Sequence, residues 1–282
     1  MAGASMKDIK LRIRSVESTM QITKAMQLVA TSKLRRVKER MEKSKPYAAI
    51  SMDAMTAAVM HCGDKTVPFA TARPVKRRCY VIIAGERGLA GGYNNNVFKA
   101  VQAHTCDIPY CVLPLGRKSI EKYHRLGVEL LSDEYAHVEG LSVGKCYKLA
   151  AMLMDGYQAE KFDELWLVYT SFKSMMTQEV ALEQLLPIKK PEQKEAEIAS
   201  STVYEPEAAE LLKKVMPDFL AGRLYSAVCD SYASEVAARR NAMDSATKNA
   251  DAMISDLRLK YNRARQGAIT QEITEIVAGA EE

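Results

Sequence analysis

The chain has 282 residues, 48% hydrophobic and 27% charged, with a formal net charge of +5. That length suits one large domain or two ordinary ones, and the composition is that of a folded globular protein. No uncharged run approaches the ~18 residues of a membrane span, and so mild a positive charge does not by itself argue for nucleic acid.

Residues 1–5, Met-Ala-Gly-Ala-Ser, hold neither an apolar signal core nor an Arg/Ser-rich transit segment, so the chain is expected to stay in a cytoplasm. The six cysteines, Cys62, Cys79, Cys106, Cys111, Cys146 and Cys229, form no Cys-x-x-Cys pair, and only four histidines accompany them. Zinc is therefore not expected, and buried reduced thiols are.

The first element is a long helix. From 4 to 45 there is neither Gly nor Pro. Ile9, Ile13, Val16 and Met20 start a 4-3-4 seam, and Ala30, Leu34, Val37 and Met41 finish one in the same register. Between them the register falls on Thr23 and Gln27, a polar interruption. The alternative is that the packing face rotates there onto Ile22, Met26 and Val29. Pro46 permits continuation with a kink, and Ile50, Ala54, Ala57 and Ala58 carry the helix to about residue 60. Twelve Lys/Arg stand against four acids in residues 1–45. The cluster Lys33, Arg35, Arg36, Lys38 and Arg40 reads as a solvated face or one beside acidic subunits. A nucleic-acid-binding basic helix is the sharper alternative, but aromatics are missing and the seam residues Leu34 and Val37 thread the cluster.

A Gly/Pro/Thr linker at 63–74 precedes a change of period. The run 79–84, Cys-Tyr-Val-Ile-Ile-Ala, is expected as a buried strand, followed by a glycine-rich turn at 85–92. Further elements are a helix at 94–106 capped by Asn94 or Asn95, a strand at 109–115, a helix at 117–126 and a strand at 128–132. Then come a helix at 142–159 capped by Ser142, a strand at 165–172, and a neighbouring strand within 175–186. Alternation of strand and helix over 73–190 implies a mostly parallel, Rossmann-like α/β sheet.

A charged linker covers 189–201, and Tyr204-Glu205-Pro206 leads into a short helix at 207–215 ended by Pro217. The last helix, 218–278, would be roughly 90 Å long at ~1.5 Å per residue. Its seam is Met243, Ala246, Ala250, Met253, Leu257, Tyr261, Ala264 and Ala268, close to a coiled-coil period. Ile269, Ile273, Ile276 and Ala280 extend the 4-3-4 spacing. Such a stripe needs a partner helix. The expected architecture is a long antiparallel two-helix coiled coil made by the two termini, with the α/β domain inserted. The expected domains are 1–62 (N-terminal coiled-coil helix), 73–190 (α/β foot), 191–217 (linker and short helix) and 218–282 (C-terminal coiled-coil helix).

The glycine turn is the candidate nucleotide site. Gly85-x-x-Gly88-x-x-Gly91-Gly92 departs from G-x-G-x-x-G, and no Lys-Ser/Thr follows to complete a P-loop. A dinucleotide-binding enzyme and a coiled-coil nucleic-acid-binding protein remain the alternative classes. No catalytic set assembles: His61, His104, His124 and His137 are scattered. Glu272 and Glu275 are spaced as salt-bridging or solvated neighbours on one helix face, and Trp166, Tyr169 and Phe172 read as core.

The run Arg14-Ser-Val-Glu-Ser-Thr-Met-Gln-Ile-Thr-Lys-Ala-Met26, with Leu28-Val-Ala-Thr-Ser-Lys-Leu-Arg35, resembles the γ-subunit family of F-type ATP synthases, in its bacterial form. So do Ser245-Ala-Thr-Lys-Asn-Ala250, Tyr261-Asn-Arg-Ala-Arg-Gln266 and Leu115-Gly-Arg-Lys118. The C-terminal pattern I-T-x-E-x-x-[DE]-x-x-x-G-A is met by Ile269, Thr270, Glu272, Glu275, Gly279 and Ala280. Departures are Gly85-Glu-Arg-Gly-Leu-Ala90 in the family's S-D-R-G-L-C loop, and Arg240 after Ser234-Glu-Val-Ala-Ala-Arg239 where methionine is usual. The resemblance implies a rotary shaft inside an α3β3 hexamer, coupling transmembrane proton or ion flow to ATP synthesis and hydrolysis. Its other partners would be the ε subunit and the c-ring of Fo. It implies no catalytic, cofactor or metal residue in this chain, with ATP/ADP and Mg held by partner subunits. By motif, Met26, Arg265, Gln266, Thr270 and Glu272 would meet the β ring, and Tyr204 and Glu205 the c-ring or ε. The implied location is peripheral, on the cytoplasmic face of a bacterial plasma membrane.

Overall fold

A computed structural model describes residues 6–62, 69–105, 108–188 and 207–280. Contact density divides the chain into two compact units, residues 32–238 and residues 1–31 with 239–282.

The larger unit is built on a four-stranded sheet. Its strands are β1 (Arg78–Ile83), β2 (Tyr110–Leu115), β3 (Glu164–Phe172) and β4 (Gln178–Leu186), ordered β2-β1-β3-β4. β1 pairs parallel with both β2 and β3, while β4 returns antiparallel to β3. The crossover from β1 to β2 is α2 (Tyr93–Thr105); α3 (Arg117–Arg125) and α4 (Val143–Gln158) lie between β2 and β3. This is the expected mostly parallel α/β arrangement. The expected cap holds for α4, where the Ser142 side chain accepts from Lys145 N.

Both faces of the sheet are covered, which is why β1 reads as a continuous apolar run instead of an alternating one. Tyr80 and Ile82 point to one side, onto Val97, Val101 and Tyr123. Cys79, Val81 and Ile83 point to the other, onto Leu149 and Leu153 of α4. The same core holds Met55 and Val59 of α1 (Met6–His61), and Leu212, Met216, Phe219 and Leu224 of α5 (Ala208–Ala280).

Two sequence expectations are corrected here. The strand at 128–132 shrinks to a single bridge between Leu130 and Val112. The chain there is drawn off to the start of α3, where Gly116 N and Arg117 N donate to Tyr135 O and Ala136 O at 2.8 and 3.0 Å. The helix break at Pro217 does not occur, since α5 runs through it. Proline in a helix interior costs about 3 kcal/mol. Burial of Leu212, Met216, Phe219 and Leu220 on both sides of Pro217 offsets that. Pro46 is likewise internal to α1, with Ala48 and Met55 buried beyond it. The linker at 189–201, Cys106, Tyr204 and Glu205 lie outside the described residues.

The smaller unit pairs the start of α1 with the end of α5. Val16 is buried against Ala250 and Ile254, with Ile13, Met20 and Leu257 packed around them. Glu17 bonds Arg258 at 2.9 Å, Thr23 bonds Thr247 at 2.8 Å and Gln27 bonds Asp244 at 2.8 Å. Partner numbers fall along α5 as they rise along α1, so the helices run antiparallel. One seam residue is corrected: Ile254 is buried and Met253 is 45% exposed. Ile254 stands four residues after Ala250 and three before Leu257, the residues it packs with.

One half-buried cluster makes stability pH-dependent. His104 Nδ1 stands 2.8 Å from the Tyr80 hydroxyl, its ring lies 4.2 Å from that of Trp166, and the Arg78–Glu164 pair (2.7 Å) adjoins it. Burial first, and the Arg78 guanidinium second, hold the His104 pKa below its ordinary value, against an opposing pull from Glu164. A histidine with a lowered folded pKa binds fewer protons folded than unfolded. Stability should therefore rise with pH between the lowered value and about 6.5, and fall on acidification through that window. Denaturant titrations across that range should show the slope, and His104→Gln should flatten it. An unchanged slope would assign the dependence to other groups.

Candidate functional site

Met26, Arg265, Gln266, Thr270 and Glu272, which the resemblance would set against a β ring, all lie on the helix pair. The register passes straight through the polar interruption. Thr23 meets Thr247, and Gln27 Nε2 donates to Asp244 Oδ1. Ile22 and Val29 are each 59% exposed, so the packing face does not rotate onto them. A hydrogen bond from Lys248, assisted by Arg240 and Gln27, holds the Asp244 carboxyl below its usual range, so the layer includes an Asp244–Lys248 ion pair. A polar layer in an apolar seam pins register. Met26, next to this layer, is half-buried.

Arg265, Gln266, Thr270 and Glu272 are all exposed on α5. Thr270 Oγ1 donates to Gln266 O at 2.9 Å and Thr274 Oγ1 to Thr270 O at 2.8 Å, turning the methyl groups outward. Met26 is not brought together with these four. Its neighbour Gln27 pairs with Asp244, about 30 Å of helix from Arg265 at ~1.5 Å per residue. The residues are spread along a surface instead of converging on a pocket. Ile22, Leu28, Val29, Ile269, Ile273 and Ile276 are exposed on the same unit. Two helices that show so much aliphatic surface read as something another protein covers.

The glycine turn in the larger unit is already filled. Gly85 N donates to Asn94 Oδ1 at 2.8 Å, and Gly85 O accepts from Lys118 N at 3.0 Å. A Cβ on Gly85 would stand 2.8 Å from Glu235 Oε1. The glycine is there to admit the buried carboxyl group of Glu235 on α5, which fills the space beside the turn. Beyond it Leu89 holds a φ of 63° and is 63% exposed, an apolar side chain presented from a left-handed backbone.

Glu235 belongs to a buried polar stripe that sequence reasoning passed over. Asp230 Oδ1 accepts from Phe172 N at 3.1 Å, Ser231 Oγ lies 2.7 Å from the Tyr93 hydroxyl, and Ser234 Oγ donates to Thr170 O at 3.1 Å. β1 ends its pairing with β3 at Val168, so β3 beyond that point needs other partners for its backbone. The α5 stripe supplies them. Its signal was four polar residues among the small and apolar Ala227, Val228, Ala233 and Ala237.

Among the described residues, no group of three His, Cys, Asp or Glu could hold a metal ion, and no helix is long and apolar enough to cross a membrane. A family profile described as ATP synthase matches residues 5–282. The chain is 41% identical to an ATP synthase gamma chain of Ruminococcus albus, over 97% of this chain and 96% of that one. It is 39% identical to a sodium-ion-specific ATP synthase gamma chain of Acetobacterium woodii, over 98% of each. Its fold is similar to a rotor chain of the Euglena gracilis mitochondrial ATP synthase, with a TM-score of 0.68 at 14% identity, covering 94% of this chain and 98% of that one.

Proposed function

This chain belongs to the ATP synthase γ-chain family, and from that premise we propose how it works. It is the central rotor shaft of an F1Fo ATP synthase, turning within α3β3 and joined through ε and the c-ring to ion flow. The observation that carries the mechanism is the helix pair, which shows aliphatic side chains outside as well as inside and holds a polar layer in its seam. We read the pair as an antiparallel coiled coil, in line with its 4-3 seam. Met26, Arg265, Gln266, Thr270 and Glu272 are assigned to the contact with the β ring. Tyr204 and Glu205 are assigned to the foot contact with the c-ring or ε.

A single asymmetric shaft cannot present the same face to three β subunits. One meets the Ile22 and Val29 side, another the side carrying Lys24, so each receives a different contact energy. A differential contact energy is what shifts a two-state equilibrium. Turning the shaft moves that bias from one β subunit to the next and exchanges their nucleotide affinities. The bond-making chemistry, with ATP/ADP and Mg, belongs to the partner subunits; this chain is non-catalytic and peripheral, at the cytoplasmic face of the membrane. In this reading residues 1–62 and 218–282 are the coiled-coil arms, 73–190 the α/β foot, and 191–217 its connection. The occupied glycine turn speaks against the dinucleotide-enzyme alternative.

Purified alone, the chain should show no ATP hydrolysis above background. Mixed with α and β subunits, it should co-assemble and support turnover. Hydrolysis that follows the isolated chain through successive purification steps would contradict the non-catalytic assignment.

A further inference from the structure

The larger unit carries a groove that the shaft mechanism does not use. Arg36, Arg40, Lys43, Tyr47 and Ile50 follow one another on α1 at steps of four, three, four and three, which puts them on one face. α5 forms one wall. Arg40 Nε donates to the Tyr225 hydroxyl at 3.0 Å, and its guanidinium lies 5.1 Å over that ring. One turn further the Tyr47 ring covers Gly222, where a Cβ would stand 2.3 Å from the ring. α4 forms the other wall. Arg40 also donates to Leu141 O at 2.8 Å, just before the Ser142 cap, and the Tyr147 hydroxyl donates to Asp218 Oδ1 at 2.6 Å.

The two ends of the groove differ. At the first, Arg36, Glu39, Arg40, Lys43, Ser44 and Tyr225 line a cleft of about 370 Å³. At the second, Tyr47, Ile50, Val143 and Tyr147 are exposed, Ile50 to 67%. The neighbouring lysines of α1 are neutralised: Lys33 by Glu139, Lys38 by Glu42 and Lys45 by Asp230. Among the described residues Arg36 and Lys43 have no such carboxylate, though they face the cleft.

We propose that this groove docks an acidic amphipathic helix from another subunit, with carboxylates on Arg36 and Lys43 and apolar side chains on Tyr47 and Ile50. From 36 to 50 the stripe spans about 21 Å, or four helical turns, the length over which anchors at i, i+3, i+4 and i+7 engage a groove. The cations at one end and the aromatics at the other demand charge and apolarity on one face of the occupant. Nucleic acid supplies only the first. The inference rests on the chain being one subunit of an assembly, and uses none of the residues assigned to the β ring.

The test uses the assembled complex with a photoreactive benzoylphenylalanine replacing Ile50. Irradiation should give a cross-link to a segment of another subunit whose acidic and apolar residues alternate at helical spacing. Reversing the charges (Arg36→Glu with Lys43→Glu) should lower the yield about tenfold while ATP hydrolysis persists, and the charge-keeping pair Arg36→Lys with Lys43→Arg should restore it. If the reversed pair prevents assembly, the unreversed protein should lose cross-link yield as salt is raised. No cross-link, one to nucleic acid, to a second copy or to a segment without acids, or a yield indifferent to charge and salt, would overturn the proposal. Failure of the shaft reading would show separately, as a chain that does not join α and β.

Discussion

Gly116→Ala should lower the stability of the α/β unit by ~3 kcal/mol or more, the largest effect expected of a one-methyl change in this chain. Gly116 has a φ of 98°, and an added Cβ would lie 2.1 Å from Ala84 O. That oxygen belongs to backbone fixed by the bond from Ala84 N to Leu115 O at 2.9 Å, so it cannot swing aside. On the other side the Cβ would meet Val138 Cγ2 at 3.1 Å. Backbone strain of ~1–3 kcal/mol and overpacking of ~1–3 kcal/mol add at this point. Against a typical stability of ~5–15 kcal/mol that is a large share. Thermal unfolding should shift down by about 10 °C. Gly144→Ala, inside α4 with only Ser142 Oγ at 3.9 Å, is the control and should be nearly neutral. Equal midpoints for the two variants would show that the Gly116 turn relaxes.

Met26→Lys should uncouple: hydrolysis by the assembled complex persists while ATP-driven ion pumping falls. Met26 is half-buried beside the Gln27–Asp244 bond, with exposed Ile22 and Val29 on either side. A lysine there can carry its stem along the seam and its ammonium to the surface, so the helix pair stays folded. The new charge then stands at the contact assigned to the β ring. An exposed ion pair is worth ~0–1 kcal/mol and a partly desolvated one more, and a barrier change of ~1.4 kcal/mol is tenfold in rate. Reconstitution in vesicles, with hydrolysis and pumping read together, decides it. Wild-type levels of both would make Met26 an ordinary seam residue and remove its contact role.

The helix pair was legible because its signal is local. Most of the seam and its polar interruption at Thr23 and Gln27 follow from spacing, but their partners Thr247 and Asp244 lie outside the expected seam, and Ile254 takes the place expected of Met253. The mostly parallel α/β character was legible because β1 and β3 are short buried runs separated by helices, whereas the strand order β2-β1-β3-β4 was not. What stayed hidden depends on contacts far apart in sequence. Pro217 looks like a helix end until the core on both sides of it is known. The strand at 128–132 has the right residues, but the backbone of α3's first turn competes for the segment that follows. The glycine turn resembles a nucleotide site until Glu235, well over a hundred residues later, is seen to fill it. Surface residues such as Arg265, Gln266, Thr270 and Glu272 carry no packing signal of their own, and only resemblance singled them out.

As a rotor shaft, this chain must turn against its ring. The direct measurement is single-molecule rotation: the α3β3 ring fixed to a surface, a probe attached to the α/β unit of this chain, and ATP added. The probe should rotate stepwise in one direction with three dwell positions per turn, slowing as ATP is lowered. A reversible disulfide between a cysteine placed at Gln266 and the facing β subunit should stop both rotation and hydrolysis until it is reduced. Sustained ATP hydrolysis by a complex whose probe does not turn, or turnover unaffected by that cross-link, would contradict the rotor role.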